Sequence, residues 1–336
     1  MNRAPVTHPL VDRFGRIHTD LRVSVTDRCN LRCTYCMPEE VAFLPRAALL
    51  TYEEITRVGR VAATLGVRTI RLTGGEPLVR RDLAVLVRQL VATAGIEEVA
   101  LTTNGLLLAE QATALRQAGL TRLNVSLDSL REEVFERVAR RAGLDRVLAG
   151  LAAARRAGFT GIRINAVSIR GLTEEEIVPL ARFCRAEGFH LRFIEFMPLD
   201  AEAGWARGQV LSGAEVRGML EAALGPLVPL APGGDPGQPA VDYRWADGGG
   251  LVGFIDPVTQ PFCERCDRLR LTADGQFRNC LFSAVEWDAR EVLRGGGDDA
   301  ALAALVRDCV AAKRAAHGID TPAFTRPARS MYQIGG

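Results

Sequence analysis

Residues Leu21–Cys36 read LRVSVTDRCNLRCTYC, and this stretch decides the fold. Its first six residues alternate apolar and polar side chains, the pattern of a half-buried strand. The strand runs into a loop that carries Cys29, Cys33 and Cys36. Structural zinc is closed by four ligands, and no fourth Cys or His lies nearby. His8, His18, His190 and His317 show no ligand pairing and read as surface or satisfied core residues. An iron–sulfur cube held by three thiolates keeps one iron open. Three thiols therefore predict a cube whose fourth ligand is a small molecule.

Outward from this loop the chain alternates strand and helix patterns. Strands are expected at residues 21–26, 68–73, 98–104, 122–128, 162–169 and 191–197. Helices are expected between them, at 51–65 (with a Thr51/Glu54 capping box), 82–93, 108–117, 131–157 (broken at Gly143) and 173–187. Six such units predict a parallel sheet with right-handed crossovers, either doubly wound or an incomplete barrel. In both, ligands gather at the C-terminal ends of the strands. Cys29, the Gly74-Gly75-Glu76-Pro77 turn, Asn104, Ser126, Asp128 and Met197 all fall there. After Leu199 the pattern changes. A helix is expected at 212–224, a Gly/Pro-rich linker or mobile loop at 225–240, a hairpin around ADGGG and a last helix at 299–316.

The chain has 336 residues, 48% hydrophobic and 24% charged, a globular profile. A net charge of +2 gives no field favouring nucleic acid or an anionic membrane, so neither is an expected partner. No apolar run has the length of a signal peptide or a membrane span. The expected location is the cytoplasm, where cysteines serve as ligands or buried thiols rather than disulfides. The basic residues are nearly all arginine; Lys313 is the one lysine.

A second set, Cys263, Cys266 and Cys280, forms CxxC-x13-C. Again there are three, and a second cube with an open iron suits a second ligand. Cys309 stays open as a fourth donor, although it and Cys184 read as buried helix thiols. Arg268 and Arg270 share one side of a strand there, a guanidinium pair suited to a phosphate or a purine edge.

CxxxCxYC after the first strand resembles the signature of the radical S-adenosylmethionine family. That resemblance implies two 4Fe-4S clusters and S-adenosylmethionine as cofactors, the latter chelating the open iron of the first cluster. It implies that Tyr35 lies beside the adenine, that the TGGEP loop at Gly75 binds the methionyl ammonium, and that Ser126 and Met197 touch the same cofactor. DRFGRIHTDLRVSVTDRCNLRCTYCMPEE, LTGGEPLVRRD, LNVSLDS, RFIEFMPL, FCERCDRLRLTADGQFRNCLFS and the final Gly335-Gly336 are similar to the branch of that family that cyclises GTP for molybdenum-cofactor biosynthesis.

This narrower resemblance implies an α/β fold: an incomplete (β/α)6 TIM-like barrel over residues 1–228, and a smaller α+β domain over 229–336 with the second 4Fe-4S cluster and a Gly-Gly tail entering the site. It implies cluster ligation by Cys29, Cys33, Cys36, Cys263, Cys266 and Cys280. GTP contacts fall on Arg22, Arg71, Thr102, Arg163, Arg268 and Arg270; the family usually has Lys at the position of Arg163, so donor geometry there changes. Cys29, Cys33, Cys36, Arg268 and Arg270 are the expected catalytic set. The implied partners are the GTP substrate, a flavodoxin- or ferredoxin-type reductant, a downstream cyclic pyranopterin monophosphate synthase and a second copy of the chain in a homodimer. Two rival readings are a peptide-modifying radical enzyme with auxiliary clusters and a two-cluster electron carrier. The first would need a longer Cys-rich C-terminal region; the second would leave GGEP and the strand-end polar residues without a task.

Overall fold

Six strand–helix units run through the first two thirds of the computed structural model, which describes residues 9–231, 237–319, 321–322 and 324–335. The strands are β1 (Asp20–Ser24), β2 (Thr69–Thr73), β3 (Glu98–Thr103), β4 (Arg122–Ser126), β5 (Arg163–Ser168) and β6 (His190–Glu195). Between them lie α1 (Tyr52–Thr64), α2 (Leu83–Val91), α3 (Leu108–Gln117), α4 (Glu132–Ala139), α5 (Leu144–Arg156) and α6 (Ile177–Glu187), with α7 (Gly213–Leu224) after β6. The later elements are β7 (Leu227–Pro229), β8 (Val241–Trp245), β9 (Leu251–Ile255), β10 (Arg268–Leu271), β11 (Gln276–Arg278), β12 (Trp287–Asp288), α8 (Ala289–Arg294), α9 (Asp299–Ala311) and α10 (Met331–Ile334).

Local chemistry explains most boundaries. The Thr51 side chain accepts from the Glu54 N–H, and Glu54 accepts from the Thr51 N–H in return at 2.7 Å, so the capping box forms. Gly143, at φ +141°, separates α4 from α5 where the break was expected. Helix α6 starts later than its acidic run predicts. Glu176 is buried and accepts from Ser129, from the Leu130 N–H and from Arg131, so it braces the preceding loop instead of opening the helix. Helix α9 likewise ends at Ala311, short of residue 316.

All twelve strands described join one sheet, in the order β12-β11-β10-β1-β2-β3-β4-β5-β6-β9-β8-β7. From β10 to β9 neighbouring strands are parallel. The hairpin around ADGGG is β8/β9. The Gly/Pro-rich segment is not all loop: β7 lies within it and pairs with β8 through Leu227 and Trp245. Residues 232–236 of that segment lie outside the described residues, as do His8 and Gly336.

One face of the sheet is apolar. Leu21, Val23, Ile70, Leu72, Val99, Leu101, Leu123, Val125, Ile164 and Leu191 pack with Val58, Ala62, Leu86, Leu90 and Leu115 of the helices in a single core. Each fully buried Leu or Val there contributes roughly 1.5–3 kcal/mol. The alternate positions face the other way, and they carry the chemistry.

Candidate active site

The first cysteine loop sits at the C-terminal ends of the strands. The Cys36 N–H and the Met37 N–H both donate to the Cys33 carbonyl, at 2.9 and 3.0 Å, a tight turn that gathers the thiols. The Arg32 and Thr34 N–H groups donate to the Ala139 and Val138 carbonyls and tie this loop to the end of α4. Burial pushes the Cys29 thiol up to about 11 and raises Cys33 and Cys36 as well. The Asn104 amide lies 3.8 Å from Cys29 Sγ, and the Tyr332 N–H donates to the Cys36 thiol.

The glycine turn is fitted to this loop. The Gly75 N–H donates to the Thr26 carbonyl at 2.7 Å. A Cβ on Gly75 would lie 2.5 Å from the Arg28 carbonyl oxygen, so the close approach the glycine permits is to the cysteine loop itself. Glu76 is buried and held in place within the turn. Burial raises it to about 7, and it accepts from the Leu78 N–H, the Asn104 N–H and the Thr103 hydroxyl.

Beside Cys33 lies a cavity lined by Tyr35, Ser126, Asp128, Phe135 and Val138. The Tyr35 hydroxyl donates to Asp128 at 2.8 Å, and Asp128 accepts from the Val167 N–H on its other oxygen. Burial raises the Asp128 carboxyl to about 6. The structure thus brings Tyr35 and Ser126 together with Cys33. Met197 is half-buried beyond the end of β6 and is not among the residues lining this cavity.

The second cysteine set lies at the opposite end of the strands. Strand β10 runs parallel to β1, and Asp20, the first residue of β1, is in register with Arg268. Cys266 therefore precedes the N-terminal end of β10, and the antiparallel β11 returns the chain so that Cys280 falls at the same end. Five residues of strand, roughly 17 Å, separate the two ends. Burial raises the Cys266 thiol, but Arg268 and Lys313 outweigh it and hold the group at about 6. Cys309 is fully buried in the apolar core, and its carbonyl accepts from Asn279.

Between the ends runs a row of arginines. Register places Arg270, Arg22 and Arg71 side by side on β10, β1 and β2. Arg71 pairs with Ala100, two residues before Thr102; Thr102 pairs with Asn124, Asn124 with Arg163, and Asn165 with Arg192. Residues two apart on a strand share a face. Arg268, Arg270, Arg22, Arg71, Thr102, Arg163 and Arg192 accordingly line one face, opposite the apolar core. Burial pushes Arg22 and Arg163 down to about 10 and lowers Arg71, Arg192 and Arg270. Arg22 Nε, Arg71 Nε and Nη1, Arg192 Nε and Arg268 Nε are buried without a partner. Each orphaned donor costs roughly 1–3 kcal/mol, more when charged. The Arg270 guanidinium donates to the Gly335 carbonyl, and a Cβ on Gly335 would meet Thr73 Oγ1 at 2.6 Å.

Arg192 was not legible as a site residue in the sequence. Its position on β6 gives no motif; only the register of six strands places it beside Arg163.

The donor sets fit the implied groups. Each end offers three partly buried free thiols, and the face between them offers unpaired cationic donors that an anionic ligand would satisfy. Among the described residues, no group of three or more His, Cys, Asp or Glu is arranged to hold a single metal ion. A cube spreads its thiolates over separate irons and sets no such requirement.

Comparison with known proteins defines the class first. Residues 23–184 match the Radical SAM superfamily, and residues 189–319 match Molybdenum Cofactor Synthesis C. Relatives named GTP 3′,8-cyclase are 52% identical in Rhodopirellula baltica (97% of this chain, 92% of the relative) and 51% identical in Mycobacterium sp. strain KMS (99% and 95%). GTP 3′,8-cyclase 2 of Mycobacterium tuberculosis strain H37Rv is 48% identical (99% and 93%). The chain belongs to this GTP 3′,8-cyclase family of radical S-adenosylmethionine enzymes. The crystal structure of Streptococcus suis SuiB bound to S-adenosylmethionine shares the fold, with a TM-score of 0.63 over 88% of this chain and 69% of that one at 16% identity. No helix among the described residues is long and apolar enough to cross a membrane.

Proposed function

We propose that this protein converts GTP to (8S)-3′,8-cyclo-7,8-dihydroguanosine 5′-triphosphate, the first step of molybdenum cofactor biosynthesis. The observation that carries this reading is the face of buried, partly unpaired arginines set between two three-thiol loops.

Cys29, Cys33 and Cys36 would hold a first 4Fe-4S cluster, and Cys263, Cys266 and Cys280 a second. Bound at the first site, the cluster and S-adenosylmethionine would supply the radical chemistry needed to take hydrogen from the ribose C3′ of GTP. The chain's own residues do the rest by position. Tyr35 and Ser126 line the cavity for the adenosyl end of the cofactor, with Gly75 bracing the loop; Met197, beyond the end of β6, would meet the cofactor from outside that lining. Arg22, Arg71, Arg163 and Arg192 present cationic donors to a triphosphate, with Thr102 among them. Arg268 and Arg270 stand nearest the second thiol set and orient the base end. Fixed ends for cofactor and nucleotide hold the reacting atoms close, which can supply several kcal/mol of the barrier.

Strands β1 to β6 with their helices are read as an incomplete (β/α)6 barrel spanning residues 1–228, with residues 229–336 as the domain of the second cluster. A flavodoxin- or ferredoxin-type reductant, a downstream cyclic pyranopterin monophosphate synthase, a homodimeric assembly and a cytoplasmic location belong to the same proposal. The test is anaerobic turnover of reconstituted, reduced protein with S-adenosylmethionine and GTP deuterated at C3′. Deuterium is expected in the 5′-deoxyadenosine. Its absence with both clusters loaded would remove the assignment.

A further inference from the structure

The chain holds 42 Lys and Arg residues, and the single lysine, Lys313, is placed against a cysteine. Its side chain is 3% exposed. Lys313 Nζ donates to the Arg268 carbonyl at 2.8 Å and lies 3.4 Å from Cys266 Sγ. The segment that carries the ammonium is held from several sides. Lys313 sits in the turn that closes α9, with its N–H on the Val310 carbonyl. One guanidinium, Arg16, locks that turn to the cysteine loop: Nη1 donates to the Cys263 and Ala315 carbonyls at 2.7 and 3.0 Å, and Nη2 to the Arg314 carbonyl at 2.7 Å. Asp12 orients Arg16 through Nε at 2.6 Å. On the far side, the Asn279 amide, next to Cys280, donates to the Cys309 carbonyl of α9.

Nearly every cationic position in this chain is filled by arginine, so a lysine at this one is informative. A guanidinium is a wide planar fork; an ammonium is a compact point charge with three donors. The gap between a strand carbonyl and a sulfur atom suits the second shape. The arginine row faces the sheet surface where a nucleotide would neutralise it. Lys313, with Arg268 at the row's end, addresses the Cys266 sulfur.

We propose that Lys313 is a positioning residue of the second iron–sulfur centre, whose ammonium donates to the Cys266 sulfur and thereby sets that centre's reduction potential. This rests on the reading of Cys263, Cys266 and Cys280 as cluster ligands. A fixed positive charge and an N–H···S bond favour the more negative, reduced state and raise the potential. Arg268 also approaches Cys266, so Lys313 acts beside it, as a compact ammonium bound at the same time to the Arg268 carbonyl.

The experiment uses the full-length chain with Cys29, Cys33 and Cys36 changed to Ser, so that only the second centre loads. Iron and sulfide content and an EPR-monitored redox titration are compared for Lys313 and for Lys313→Met, Lys313→Gln and Lys313→Arg. The Met variant should load iron to the same level and titrate lower, with the reduced-to-oxidised ratio at fixed potential down about tenfold, ~59 mV for one electron. Gln keeps a donor without the charge and should fall between. Arg keeps the charge without the fit and should not restore the parent midpoint. A Met variant with the parent midpoint would overturn the proposal alone. Loss of iron from all three variants would also overturn it, because Lys313 would then be an assembly residue. An iron-free parent chain would overturn it together with the reading it rests on.

Discussion

The two thiol sets sit at opposite ends of the same strands; burial raises Cys263 as it raises the first set, and Cys266 is the thiol whose surroundings differ. At the C-terminal end, Cys29, Cys33 and Cys36 are raised by burial, and among their close polar neighbours are the Leu31 and Tyr332 N–H groups, the Asn104 amide and the Tyr35 side chain. At the other end, Arg268 and Lys313 hold Cys266 down to about 6 against its burial. The difference teaches how one sheet can serve two ligands. The first end adjoins a cavity lined by Tyr35, Asp128, Phe135 and Val138, whose apolar walls suit an aromatic ring. The cationic end adjoins an arginine face that an oligophosphate nucleotide can satisfy.

The largest effect expected from breaking this comparison is at the first end. Cys33→Ala should abolish 5′-deoxyadenosine formation and lower iron by roughly half, as one of two cubes is lost; iron analysis and chromatography of turnover mixtures check it. Cys263→Ala should keep the first cluster yet form no cyclised nucleotide. Full product from that variant would remove the substrate role of the cationic end. Gly75→Ala forces a Cβ onto the Arg28 carbonyl at 2.5 Å and should weaken S-adenosylmethionine binding while sparing GTP binding, measured by equilibrium dialysis of each. On the arginine face, Arg71→Met should raise the KM for GTP about 10- to 100-fold, from roughly 1.5–3 kcal/mol for a charged hydrogen bond. S-adenosylmethionine affinity should not move.

The smallest effect is on stability. Burial lowers His18 to about 4, aided by Lys313 and opposed by Asp12. Between pH 4 and the ordinary value of 6.5 the unfolded chain therefore binds more protons, and stability should fall as pH drops through that window. Urea midpoints across the range should fall less steeply in His18→Gln.

The cysteine loops, the GGEP turn and the six strands were legible because their signals are local: spacing, turn residues and period-two alternation. Arg268 and Arg270 could be placed on one face of a strand for the same reason. What could not be read is what depends on pairing between distant strands. That β10 docks on β1, which puts the second thiols at the opposite end from the first, is a non-local fact. So is the placing of Arg192 opposite Asn165, one step along the same face from Arg163, and the use of Glu76 as a brace between two loops. Lys313 was visible as the one lysine, but its meaning needed the 3.4 Å approach to Cys266.

The most direct test is EPR of the reduced, fully loaded protein with the two ligands added one at a time. The account predicts that S-adenosylmethionine alters only the signal missing from Cys33→Ala, and GTP only the signal missing from Cys263→Ala. Signals that ignore both ligands, or a zinc-filled site at either end, would contradict it.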